Sequence, residues 1–129
     1  MKNKFLIDTH TFIWLIEDDP KLTDSSKQLI DDLDNDIFIS IASLWEMAIK
    51  ISIGKLKLAG VLAQAIDELY ARNIKILPID SLHVLRVQNL PLHHKDPFDR
   101  IIISQSLVEN ITIISIDEIF DDYQVKRLF

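Results

Sequence analysis

The chain carries acids where chemistry gathers in open α/β folds. Asp8 ends the apolar run Lys4-Phe5-Leu6-Ile7, Glu46 follows the run Ile37-Phe38-Ile39-Ser40, and Asp117 follows Ile111 to Ser115. Asp96 and Asp99 open the apolar stretch that feeds that last run. Parallel sheets bind ligands outside the carboxyl ends of their strands, so a fold that pairs these runs brings the acids to one edge. Converging carboxylates repel one another and are costly to bury without a counterion. No Lys or Arg follows a strand at the equivalent place, although Lys50 and Arg100 are near in sequence. Hard oxygen ligands of this kind suit Mg²⁺ or Mn²⁺, which bind through a few carboxylates and keep several waters. Zinc fits poorly: Cys is absent, His10, His93 and His94 form no His-x-x-x-His pair, and His83 reads as a helix surface residue.

Each acid also has a purely structural explanation. Ser43-Leu44-Trp45-Glu46 matches a capping box, in which Ser caps a helix and Glu reaches back. Asp96-Pro97-Phe98-Asp99 fits an N-cap, a proline at the first helical position and an acid favoured by the helix dipole. Asp8 and Asp117 are placed to cap the helices that follow them. Other chemistries lack their motifs. With Gly54 and Gly60 as the only glycines, neither a dinucleotide fingerprint nor a phosphate-binding loop exists. No Gly-x-Ser-x-Gly elbow occurs, and Ser104 and Ser106 on an apolar helix read as structural.

The elements that must position the acids are legible from apolar periodicity. Strands are expected at Lys4–Ile7, Ile37–Ser40, Ile74–Ile79 and Ile111–Ser115, with an edge strand within Val125–Phe129. Helices are expected at Thr11–Ile16, Ser25–Leu33, Leu44–Ile53, Leu58–Arg72, Ser81–Val87 and Pro97–Val108, with a short helix or turn from Asp117. Gly54 is placed to end the third of these. Apolar strands separated by helices imply an α/β fold in three layers, α/β/α, around a mainly parallel sheet. Two long helices, Leu44–Ile53 and Leu58–Arg72, follow each other without a strand. Apolar faces around Phe12–Ile16 and Leu58–Tyr70 are expected to leave a groove for a partner segment.

Composition bounds the rest. A chain of 129 residues, 48% hydrophobic and 26% charged, reads as one domain over residues 1–129. The absence of Cys excludes disulfide scaffolds, thiolate metal sites and cysteine nucleophiles. The start MKNKFLID reaches an acid too soon for a signal peptide, so a cytoplasmic protein without a membrane anchor is expected. Fourteen basic against 20 acidic residues give a net charge of -6, which argues against a simple basic groove for nucleic acid. It does not exclude a nucleic-acid enzyme whose carboxylates present a metal ion to phosphate.

Asp8-Thr9-His10, Ser43-Leu44-Trp45-Glu46-Met47-Ala48-Ile49-Lys50 with Gly54-Lys55-Leu56, Asp96-Pro97-Phe98-Asp99-Arg100 and Ser115-Ile116-Asp117 together resemble the PIN-domain ribonucleases. The likeness is closest to the VapC toxins of bacterial toxin-antitoxin pairs, and it spans essentially the whole chain. It implies a PIN-like fold and a metal-dependent endoribonuclease whose quartet Asp8, Glu46, Asp99 and Asp117 binds Mg²⁺ or Mn²⁺. It also implies an RNA substrate, a cognate antitoxin and a homodimer. By motif, Asp99 rather than Asp96 joins the quartet, and Asp96 becomes an outer-shell ligand or a cap. Thr9 and Ser115 match the small hydroxyls that orient the first and last acids. Lys50, Lys95 and Arg100 are candidate phosphate contacts, with solvated helix surface the plainer reading of the two lysines and an acid the other partner for Arg100. Two alternatives come from other classes: a non-catalytic protein-binding module of PIN architecture, and a receiver- or dehalogenase-type phosphoryl-transfer domain. Against the latter, Asp8-Thr9-His10 lacks an Asp-x-Asp arrangement.

Overall fold

The computed structural model describes residues 2–129. Five strands, β1 (Asn3–Ile7), β2 (Asn35–Ser40), β3 (Lys75–Leu77), β4 (Thr112–Ile114) and β5 (Arg127–Leu128), form one sheet in the order β3-β2-β1-β4-β5. Every pairing in it is parallel. The helices are α1 (Thr9–Ile16), α2 (Asp24–Asp31), α3 (Ile41–Ser52), α4 (Leu62–Ala71), α5 (Ser81–Gln88) and α6 (Pro97–Glu109), followed by a 3-10 helix at Glu118–Tyr123. No helix among the described residues is long and apolar enough to cross a membrane.

Alternation along the strands divides the apolar side chains between two cores, one on each face of the sheet. Phe5 and Ile7 of β1 join Ile37 and Ile39 of β2, Phe12, Met47 and Leu69 in one core. Leu6 joins Ile113, Ile102, Ile103 and Phe120 in the other. Both faces are covered, which is why the strands read as continuous apolar runs. The chain moves outward from β1 to β3 and then returns to lay β4 on the opposite side of β1. That reversal opens a crevice at the carboxyl ends of β1 and β4.

Several boundaries differ from the sequence reading, each for a local reason. Helix α3 starts at Ile41, because Ser40 ends β2 and caps the helix at once, its Oγ accepting from Ala42 N at 3.1 Å. Ser43 therefore lies inside the helix and is not its cap, and Glu46 sits on the second turn, beyond capping-box reach. Helix α4 starts at Leu62 instead of Leu58; Gln64 Oε1 accepts from Val61 N at 3.1 Å, while Leu56 and Leu58 pack on the core from a non-helical segment. Gly54 does close α3, at φ 73°, with Lys55 N donating to Lys50 O and Gly54 N to Ile51 O, the paired bonds of a Schellman motif.

His83 is buried, contrary to the surface reading. Its Nδ1 accepts from Asp80 N at 3.1 Å and its Nε2 lies 3.1 Å from Glu109 Oε1, so the ring pins α5 against α6. Ser104 and Ser106 are structural as expected, donating to the carbonyls of His83 and Ile111. The groove expected between α1 and the 58–70 segment is small, a cleft of about 150 Å³ beside Ile16, because Phe12, Leu15, Ala65 and Leu69 are consumed by the core. A larger apolar concavity, about 570 Å³, lies elsewhere, among Trp45, Val84, Val87, Leu92, Phe98 and Ile101.

Candidate functional site

Asp8 stands at the crevice between β1 and β4 and is buried. Its Oδ1 caps α1, accepting from Thr11 N at 3.0 Å and Thr11 Oγ1 at 2.6 Å, and its Oδ2 accepts from Ser115 Oγ at 2.6 Å. Burial raises its pKa, while the bonds from Ser115 and Thr11 oppose the rise. Ser115 is in turn fixed by Asp117 N, which donates to its Oγ at 3.0 Å.

Glu46 reaches the same region from the second turn of α3, also buried. Thr9 Oγ1 is 2.7 Å from Glu46 Oε1 and 2.9 Å from Ser43 Oγ. A carboxylate can only accept, so Thr9 donates to Glu46. Lys50, one turn on, donates to Glu46 Oε2 at 2.6 Å. This ion pair replaces the solvated-surface reading of Lys50, and its hydrogen bond with Glu46 raises the lysine's pKa. Thr9 and Ser115 thus orient Glu46 and Asp8.

The start of α6 supplies the remaining acids. Asp96 is its N-cap, Oδ1 accepting from Phe98 N at 2.8 Å and Asp99 N at 3.2 Å, with Pro97 at the first helical position. Asp99, one turn in, is hydrogen-bonded through Oδ2 to His94 Nε2 at 2.7 Å. Ligand atoms of His94, Asp99 and Asp117 all lie within 4.8 Å of one another. Asp117 is exposed and caps the 3-10 helix through Ile119 N. The acids are therefore caps and neighbours at once: Asp8, Asp96 and Asp117 each start a helix at the rim of one crevice.

The pKa of Asp99 is pushed up to about 6 by burial and by the charge of Asp96; His94 opposes the rise, and Asp8 and Glu46 add to it. Mutual repulsion of this kind is what a hard divalent cation relieves. The four acids expected to hold an ion, Asp8, Glu46, Asp99 and Asp117, offer hard carboxylate oxygens chemically suited to Mg²⁺ or Mn²⁺, and of these Asp99 and Asp117 have ligand atoms within 4.8 Å of each other. Lys50 supplies part of the positive charge on the Glu46 side.

Arg100 belongs to neither an acid nor an open phosphate site. Its Nη1 donates to Pro91 O and His94 O at 2.9 and 3.1 Å, and its Nη2 to Val87 O and Leu90 O, both at 3.2 Å. The guanidinium ties down the loop between α5 and α6. Lys95 is exposed on the rim of the apolar concavity. Three contacts of the site escape the sequence reading: Thr11 with Asp8, Lys50 with Glu46 and His94 with Asp99. Thr11 and the Glu46–Lys50 pair follow three- and four-residue helical spacings that could have found them. His94 had no such signal, because only the folded loop brings it to Asp99.

The comparisons with known proteins agree with this fold. The structure is similar to that of VapBC2 from Rickettsia felis bound to a promoter DNA fragment, with TM-score 0.73 and 17% identity over 97% of each chain. Similar too is DNA-bound VapBC from Salmonella typhimurium, with TM-score 0.71 and 18% identity over 98% of this chain and 97% of that one. VapBC-1 from nontypeable Haemophilus influenzae follows, with TM-score 0.63 and 18% identity over 97% and 96%. At these identities the likeness speaks for the fold. No curated protein matches the sequence significantly. The family model for the PIN domain matches residues 5–126, nearly the whole chain, and with the parallel sheet and the acids at its crevice it follows that the chain belongs to the PIN domain family.

Proposed function

We propose that this protein is a cytoplasmic, single-domain endoribonuclease toxin that hydrolyses RNA phosphodiesters with Mg²⁺ or Mn²⁺ held by Asp8, Glu46, Asp99 and Asp117. The observation that carries the reading is the crowding of Asp99, raised to about 6 among Asp96, Asp8 and Glu46 in a PIN fold. A bound divalent ion supplies acidified water and neutralises charge developing on the phosphate. The chain's own groups hold and orient. Ser115 and Thr11 fix Asp8, Thr9 and Lys50 fix Glu46, and the Asp96 cap sets the first turn of α6 so that Asp99 faces Asp117. VapBC assemblies among the solved relatives support a cognate antitoxin as partner. The apolar concavity with Trp45, Val84 and Leu92 at 60%, 58% and 73% exposure supports a homodimer through that face.

Cleavage of RNA should require Mg²⁺ or Mn²⁺ and stop in excess EDTA. Asp8→Asn and Asp99→Asn should each abolish it with the fold retained, as circular dichroism would verify, and Asp96→Asn should be milder. Undiminished cleavage in EDTA would overturn the reading. One observation favours the non-catalytic module: Lys50 already neutralises Glu46. Calorimetry that detects no Mn²⁺ binding would decide for it.

A further inference from the structure

We propose that His94 is a positioning residue for Asp99: its Nε2–H holds Oδ2 and leaves Oδ1 as the oxygen available to a cation. The inference deepens the metal-site reading above and rests on it for the ion. Geometry alone is ambiguous, since His94, Asp99 and Asp117 have ligand atoms within 4.8 Å of one another and the ring could itself ligate. The other side of the ring resolves the ambiguity. Asp96 N, which can only donate, lies 3.3 Å from His94 Nδ1. A donor facing Nδ1 needs a lone pair there, so the neutral ring carries its proton on Nε2. A protonated Nε2 at 2.7 Å from Asp99 Oδ2 is a hydrogen-bond donor and not a metal ligand.

The ring is also held in place from behind. His94 N donates to Tyr123 Oη, and His94 O accepts from Arg100 Nη1 at 3.1 Å. Tyr123 Oη donates in turn to Pro91 O at 2.8 Å, within the same loop. Asp99 takes no hydrogen bond on Oδ1 among the described residues. Asp96 thus serves twice: its carboxylate starts the helix that carries Asp99, and its amide selects the tautomer that restrains Asp99. Donors to the free oxygen of a ligating carboxylate set its orientation and its basicity.

Two measurements test this. In metal-free protein at neutral pH, long-range ¹H–¹⁵N spectra should show the His94 proton on Nε2, and adding Mg²⁺ should leave it there. A proton on Nδ1, or loss of the Nε2 proton on Mg²⁺ binding, overturns the proposal. Calorimetry with Mn²⁺ should then show binding weakened about tenfold or more in His94→Ala, in keeping with the loss of an outer-shell partner. His94→Gln, whose amide nitrogen can reach Oδ2, should recover most of that loss, which a merely structural role would not predict. Unchanged Mn²⁺ affinity in His94→Ala, or no recovery in His94→Gln, overturns the proposal alone. Absence of Mn²⁺ uptake by the unaltered protein overturns the metal reading, and the ring's part in ion binding with it.

Discussion

Asp99 is where opposing influences on one carboxyl can be read as stability. Its pKa stands at about 6 in the folded chain against 3.8 for an ordinary aspartate. The folded chain holds this proton more tightly than the unfolded one, so metal-free stability is lost as pH rises from about 4 through about 6. Asp99→Asn should therefore raise the metal-free melting temperature above pH 6 by the equivalent of up to about 3 kcal/mol, with no advantage below about pH 4. Thermal melts across that range, in chelator, check the sign; a variant less stable than wild type at pH 7.5 would mean that the crowding is not felt. The acids were legible one by one, because a carboxylate after an apolar run and an Asp-Pro-x-Asp block are local signals. Their restraints were less so. Ser43 looked like a cap because Ser40 is hidden as the last residue of a strand. His94 owes its place to Arg100 and Tyr123, which no spacing reveals.

At the scale of elements, the site depends on a loop that has no secondary structure of its own. Residues 89–95 are fixed chiefly by Arg100, which donates to the carbonyls of Leu90, Pro91 and His94 and ties them to Val87 of α5, and by Tyr123 Oη. A planar fork can serve several acceptors at once where an ammonium cannot. Arg100→Lys should leave the sheet intact but speed amide exchange across 89–95 and lower stability by roughly 1 to 3 kcal/mol. Exchange confined to its wild-type rate would show that the loop is held by other means. Strands and helices were predicted in the correct order because their apolar periods differ, yet α4 begins one turn later than its apolar spacing implies, at the Gln64 cap on Val61 N. The sheet order was legible only as a class, since nothing local specifies on which side of β1 the chain lays β4.

For the whole molecule, the apolar concavity beside α3, α5 and α6 carries the homodimer proposal. Trp45 packs edge-to-face on Phe98 with centroids 5.2 Å apart while remaining 60% exposed. Light scattering should report a dimer for wild type and a monomer for Trp45→Glu combined with Val84→Glu, with the circular dichroism unchanged. A wild-type monomer at the same concentration would remove this face as an interface. Sequence patterning missed the surface because Trp45, Val84 and Leu92 come from separate segments, each with an unremarkable share of apolar residues. The central strand has a consequence for synthesis. β1 is made well before β4, yet the strand that pairs with its other edge and the Ser115 hydroxyl that binds Asp8 Oδ2 stand 107 residues further along the chain. A growing polypeptide still short of β4 holds Asp8 and Glu46 with no Asp117 beside them and an open edge next to the first. Whatever the crevice does, it can do only once β4 has been made and laid beside β1, so a ribosome that has not yet passed Asp117 carries an inert product.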